Sequence, residues 1–338
     1  MNEVSLIVAT FAGLMALAVL IYAVLDGYDL GVGILLPLSG KQGPDGEKSR
    51  DTMIASIGPF WDANETWLVL AVGLLLIAFP PAYNLVLKEL YLPATFMLVG
   101  LILRGCAFDF RAKVSAENKR TWDGIFKFGS TLTALMQGYM LGQYVVGFES
   151  GWLAQGFSLL SALCVTAAYG YIGANWLVMK TEGELQRQSA AYARLCGRLC
   201  FLGVAAVSIV NPMVNQMVYE NWFSLPGSLL WFHIPVMSLF LFVVNDRILK
   251  RIPKQLDQHS WIPFAGTVGI FFLCFQGLLY SFYPYVIPGQ MTLMEAASAT
   301  ESLRFILVGA LIVVPVIIGY TIFSYRVFWG KATDLKYY

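Results

Sequence analysis

Of 338 residues, 58% are hydrophobic and 13% charged, against roughly 45 to 50% and about 25% in soluble proteins, which excludes a water-soluble fold. Length here counts membrane spans rather than globular domains. Lysine and arginine number 22 against 21 aspartates and glutamates, a net charge of +1, so bulk attraction to nucleic acid is excluded and each charge must be read by its position.

The first apolar run covers about 5–36. No Lys or Arg precedes it and no small-residue cleavage site closes it, so it reads as a mature helix rather than a removed leader. Near its end, DGYDLG sets Asp26 and Asp29 three residues apart on one helix face. Gly27, Gly31 and Gly33 beside them suit close contact with a neighbouring helix. The second run, about 53–79, repeats the spacing in WDANETW, with Asp62 and Glu65 flanked by Trp61 and Trp67. The third, about 84–110, carries Arg104 at comparable depth and Asp109 nearer its end. At a rise of about 1.5 Å per residue, the four acids of the first two runs lie very roughly 10 to 20 Å deep from the inner side. An acid facing lipid costs about 2.5 to 3.5 kcal/mol on the mildest insertion scale. The four are therefore expected to converge inside the bundle, with Arg104 as counter-charge.

Six further runs lie at about 122–147, 152–179, 195–217, 227–246, 261–282 and 302–328. Cys106, Cys164, Cys196, Cys200 and Cys274 are odd in number and lack a Cys-x-x-Cys pair, so they read as packing residues and no metal site is expected. The two histidines are His233 in the seventh run and His259 in a polar loop. Buried haem needs axial ligands on matching faces, so His233 reads as a polar contact within the bundle, and no cofactor is expected on this chain. Trp152, Trp222 and Trp261 sit near run ends, as an aromatic belt does.

The nine runs predict an all-α polytopic membrane protein with nine transmembrane helices, a single integral membrane domain over 1–338. A four-plus-four-plus-one arrangement is compatible, without a convincing sequence repeat. Basic residues cluster in every second loop: Lys41, Lys48 and Arg50; Arg111, Lys113, Lys119 and Arg120; Lys180, Arg187, Arg194 and Arg198; Arg247, Lys250, Arg251 and Lys254; then Arg326, Lys331 and Lys336 at the end. These are 18 of the 22 basic residues, and the positive-inside rule turns them to the cytoplasm, leaving the N-terminus periplasmic and the C-terminus cytoplasmic. That result requires an odd number of helices.

Acids that outnumber their one cation can exchange protons, which points to a cytoplasmic proton path through the inner ends of the first three helices. The competing reading is a closed Asp–Arg network that only locks helix packing. A stand-alone proton-coupled secondary transporter would use the same acids, but should show broken helices and a second half with acids of its own. The fifth to eighth runs carry no pair like Asp62 and Glu65.

DGYDLGVG in the first run, GPFWDANETWLV in the second and LRGCAFDFRAK closing the third resemble subunit II of the cytochrome bd-type quinol oxidases. TEGELQRQ, YPYVIP and the ending IIGYTIFSYRVFWGK extend the resemblance along the chain. Glu65, where many members have an amide, resembles the cyanide-insensitive branch. The resemblance implies a bacterial inner-membrane respiratory complex that oxidises ubiquinol or menaquinol and reduces oxygen to water. It implies a haem-bearing subunit I holding two b-type haems and one d-type haem, small single-helix subunits and membrane lipid as further partners, and no haem on this chain. It also implies proton uptake from the cytoplasm through the aspartate of the WD motif, here Asp62. Asp26, Asp29 and Glu65 are added as members of the path, and Arg104, Trp61 and Asp109 as supporting residues.

Overall fold

The computed structural model describes residues 3–37, 44–224, 228, 231–252 and 259–332. Lys41, Lys254 and Lys336, three of the orienting cations, lie outside the described residues. The chain opens with α1 (Glu3–Leu35), 33 residues and about 50 Å long at the helical rise, more than a hydrocarbon core of ~30 Å needs.

The second apolar run is not one helix. It divides into α2 (Pro44–Ile57) and α3 (Trp61–Ala78), because Pro59 has no N–H to donate and disfavours helical backbone at Gly58 before it. The span therefore begins at Trp61 and not near 53, which puts Asp62 in the first turn of α3. A single residue, Phe79, joins α3 to α4 (Pro80–Arg111), whose paired prolines occupy the first turn, where N–H groups are unbonded in any case.

α5 (Ala116–Val145), α6 (Trp152–Lys180) and α7 (Gly183–Val214) follow. α7 starts twelve residues before the apolar run at 195, since GELQRQ continues the helix beyond the apolar stretch. After the short α8 (Gln216–Phe223), N-capped by the Asn215 side chain, come α9 (His233–Arg251) and α10 (Ile262–Phe282). A small antiparallel hairpin, β1 (Tyr285–Ile287) and β2 (Met291–Thr292), pairs Tyr285 with Thr292 and Ile287 with Met291. It lies in the loop before α11 (Leu293–Ala296) and α12 (Thr300–Val327).

Among the described residues, seven helices are long and apolar enough to cross a membrane: α1, α3, α4, α6, α7, α10 and α12. α5 and α9 occupy the places of the fourth and seventh runs but fall outside that set.

α1 is central, packed against α3, α5 and α6. Lipid offers no hydrophobic drive for helices to associate, so small residues at the crossings let backbones meet closely. A Cβ on Gly31 would stand 1.8 Å from the Tyr169 carbonyl oxygen, and one on Gly173 2.5 Å from the Gly31 carbonyl carbon. The packing role expected of Gly27 and Gly33 holds as well, against the Tyr169 ring and the Ser130 hydroxyl. Near the C-terminal end of α1 the Tyr28 and Trp176 rings stack with centroids 4.0 Å apart, and Phe60 stacks on Tyr325 at 4.5 Å. α12, by contrast, is scarcely covered by the rest of the chain: Phe305 is 83% exposed.

Candidate functional site

α1 carries Asp26 and Asp29 one turn apart, both 0% exposed. α4 brings Arg104, 1% exposed, against them. Arg104 Nη1 lies 2.7 Å from Asp26 Oδ1, and Nη2 donates to Glu65 Oε1 from α3. The Trp61 ring, one turn before Glu65, lies 5.9 Å from the guanidinium carbon, at the outer limit of cation–π contact. Three helices thus meet at one arginine paired with two carboxylates, with Asp29 one turn beyond Asp26.

Asp29 is held differently. Asn64 Nδ2 donates to Asp29 Oδ2 at 2.7 Å and lies 3.0 Å from the Tyr28 hydroxyl. The Tyr325 hydroxyl on α12 donates to Asn64 Oδ1 at 3.2 Å and also bonds Tyr28. Asp26 Oδ2 and Asp29 Oδ1 are buried with no hydrogen-bond partner among the described residues. Deeper in the bundle, Gln137 of α5 joins two hydroxyls: its Nε2 donates to Tyr22, and Tyr169 donates to its Oε1 at 2.7 Å.

Not every expected residue joins. Glu65 sits at the edge, its side chain 27% exposed. Asp62 faces outward from the chain, as does Asp109, and neither has an ion pair or hydrogen bond among the described residues. The physical reason is helical phase. The buried stripe of α3 runs through Asn64, Trp67, Ala71, Leu74 and Ala78, and Asp62 lies on the opposite stripe with Thr66, Val69 and Leu76. Asn64 was missed in the sequence although its spacing to Trp67 and Ala71 carried the signal. His233, expected within the bundle, opens α9 on the protein surface with Trp231 6.2 Å away. Cys200 is buried and packs with Cys196 and Cys274, as packing cysteines should.

A second ion cluster was also missed. Asp123 of α5, 0% exposed, accepts from Arg111 Nε and lies 2.9 Å from Arg50 Nε. Arg111 Nη1 also reaches Asp51 Oδ1 at 2.8 Å. The cluster ties α2 to α4 and α5, so Arg50 and Arg111 clamp helices together. Lys180, buried at the end of α6, donates to the Phe328 and Gly330 carbonyls at 3.0 Å each and anchors the end of α12.

These features define a class: an all-helical, multi-pass membrane protein built around an ion cluster inside its apolar bundle. The family model described as cytochrome bd terminal oxidase subunit II matches residues 7–328, and the chain belongs to that family. It is 27% identical to cytochrome bd ubiquinol oxidase subunit 2 of Bacillus subtilis (strain 168), over 90% of each chain. It is 28% identical to cytochrome bd-I ubiquinol oxidase subunit 2 of Escherichia coli (strain K12), over 92% of this chain and 91% of that one. The solved structure of bd oxidase from Geobacillus thermodenitrificans contains a chain that superposes with a TM-score of 0.75 at 16% identity, covering 96% of this chain and 99% of that one, a likeness of fold. Family membership makes this chain a subunit of an oxidoreductase complex, partnered with subunit I.

Proposed function

We propose that this chain is the haem-free subunit II of a quinol-oxidising, oxygen-reducing cytochrome bd complex in the bacterial inner membrane, and that it supplies a cytoplasmic proton path to the haem-bearing subunit. The carrying observation is the surplus of acid at Arg104: Asp26, Asp29 and Glu65 converge where one guanidinium is the only cation among the described residues. Reducing oxygen to water consumes protons, and a buried carboxylate with a free oxygen can take up a proton and release it. In this reading Asp62 and Glu65, one turn apart on α3, receive the proton at the inner face. Glu65 and Asp26 share Arg104, so a proton on one carboxylate strengthens the hold of the arginine on the other. Asn64 fixes Asp29, and Tyr22, Gln137 and Tyr169 form a hydroxyl and amide chain beyond. The outward face of Asp62 and Asp109 suits protein better than lipid, because an acid facing lipid is costly, and it is proposed to meet the partner subunit.

The complex is proposed to hold two b-type haems and one d-type haem in subunit I. The reading draws on the place of both histidines at the surface of this chain, since a haem buried within the bundle would need axial ligands facing inward. Haem, when bound in the complex, supplies electron transfer and oxygen chemistry. The same proposal makes residues 1–338 one domain of nine spans, α5 and α9 completing the seven, with a periplasmic N-terminus and a cytoplasmic C-terminus. Small single-helix subunits and lipid are further proposed partners, and the resemblance at Glu65 to the cyanide-insensitive branch is a proposal that cyanide titration of oxygen consumption tests. Nothing in the fold favours a stand-alone transporter.

Asp62→Asn is the test of the path. Asp62 has no ion pair or hydrogen bond among the described residues, so the change orphans no group here. Quinol-driven oxygen consumption should fall about a hundredfold or more, the usual worth of a positioned acid or base, with haem content unchanged. Wild-type turnover in the assembled variant would overturn the role of Asp62.

A further inference from the structure

Away from the acid cluster, α7 and α9 enclose a surface groove of about 480 Å³. Its floor is the Tyr171 ring beneath Gly197, a glycine whose Cβ would stand 2.8 Å from that ring, and its walls are Phe201, Leu202, Leu239 and Val243. One end is basic: Arg194, Arg198, Arg247 and Lys250 line it with a single acid, Asp246. That acid is already engaged, by Arg194 Nε at 3.0 Å and Lys250 Nζ at 2.9 Å. Arg198 and Arg247 are exposed and have no partner among the described residues.

The apolar walls run away from those two cations along the helices. Phe201 and Leu202 follow Arg198 by three and four residues on α7, while Val243 and Leu239 precede Arg247 by four and eight on α9. Eight residues of helix extend about 12 Å. A charged end joined to an apolar slot of that length matches a phospholipid whose headgroup carries net negative charge.

We propose that this groove is a binding site for an anionic phospholipid, its phosphate between Arg198 and Arg247 and one acyl chain along Phe201, Leu202, Leu239 and Val243. The proposal rests on the orientation given above only in assigning the lipid to the cytoplasmic leaflet. A zwitterionic lipid would leave the two arginines without net compensation, so the site discriminates by headgroup charge.

The test uses the whole oxidase complex, delipidated and exchanged into nanodiscs of dioleoylphosphatidylglycerol diluted in dioleoylphosphatidylcholine, with retained lipids counted by native mass spectrometry after detergent release. The wild type should retain a phosphatidylglycerol that R198Q/R247Q holds about ten- to thirtyfold more weakly, the factor carried by two interfacial cations. R198K/R247K should keep most of it, and phosphatidylcholine retention should be the same in all three. Equal phosphatidylglycerol retention in wild type and R198Q/R247Q would overturn the proposal. So would parallel loss of both lipids, which would mark an apolar slot indifferent to charge, or displacement of the lipid by inorganic phosphate alone, which would mark a simple anion site. Haem content confirms assembly of each variant, and the lipid count does not depend on turnover, so failure of the oxidase reading and failure of this one are distinguishable.

Discussion

Replacing Arg104 by methionine keeps an unbranched stem but ends it at the level of Nε, and it removes the only cation of the acid cluster among the described residues. The guanidinium is 1% exposed and touches Asp26 and Glu65, with Asp29 one turn beyond Asp26. At an effective dielectric of about 20, an ion pair about 4 Å apart is worth roughly 4 kcal/mol, opposed by several kcal/mol of desolvation per ion. The intact network is therefore close to balanced. Removing one member strands the others, and breaking a buried pair in this way costs about 3 to 5 kcal/mol, roughly a fifth or more of a typical stability of about 5 to 15 kcal/mol. Thermal unfolding of the purified complex should move down by about 6 to 15 °C, with less assembled complex per unit of membrane protein. Adding Asp26→Asn removes one stranded carboxylate and should restore about half of the shift, a recovery that independent sites would not show. An Arg104→Met complex that unfolds within about 2 °C of the wild type would refute the reasoning, because it would mean that the carboxylates need no counter-charge.

Asn64→Leu leaves Asp29 Oδ2 and two tyrosine hydroxyls without their amide; it should cost about 1 to 3 kcal/mol, read by thermal unfolding, and slow turnover in the assembled enzyme. Asp123→Asn takes the shared carboxylate from Arg50 and Arg111; α2 should loosen, seen as faster proteolysis within residues 44–57, with haem content preserved. Gly31→Ala drives a methyl into the Tyr169 carbonyl and should destabilise by about 1 to 3 kcal/mol or more. Gly13→Ala, with nothing within 4 Å, should be neutral or slightly stabilising in the same thermal assay.

Composition, run length and charge spacing were enough to define a helical membrane protein. They also picked out Asp26, Asp29, Glu65 and Arg104, because an ion within an apolar run is conspicuous whatever it touches. The glycines beside Asp26 were legible for a similar reason: only a close helix crossing suits so many of them next to buried acids. The break at Gly58 and Pro59 was also written in the residues, but the apolar character continues across it, and hydropathy alone joined α2 to α3.

The inward face of each span was left to the tertiary structure. In a soluble helix the polar side marks solvent, whereas in a membrane both the lipid face and the packed face are apolar, so the period can be read but not its phase. Asp62 and Asn64 lie two residues apart in one string, and only the position of α1 turns Asn64 to Asp29 and leaves Asp62 outside. Asp123 drew no notice in the sequence, and only the packing of α2 and α4 brings Arg50 and Arg111 to it. The sequence by itself determined which charges enter the apolar runs; their partners were decided by helix packing, since Asp26 and Glu65, on two helices, share Arg104 only where α1, α3 and α4 meet.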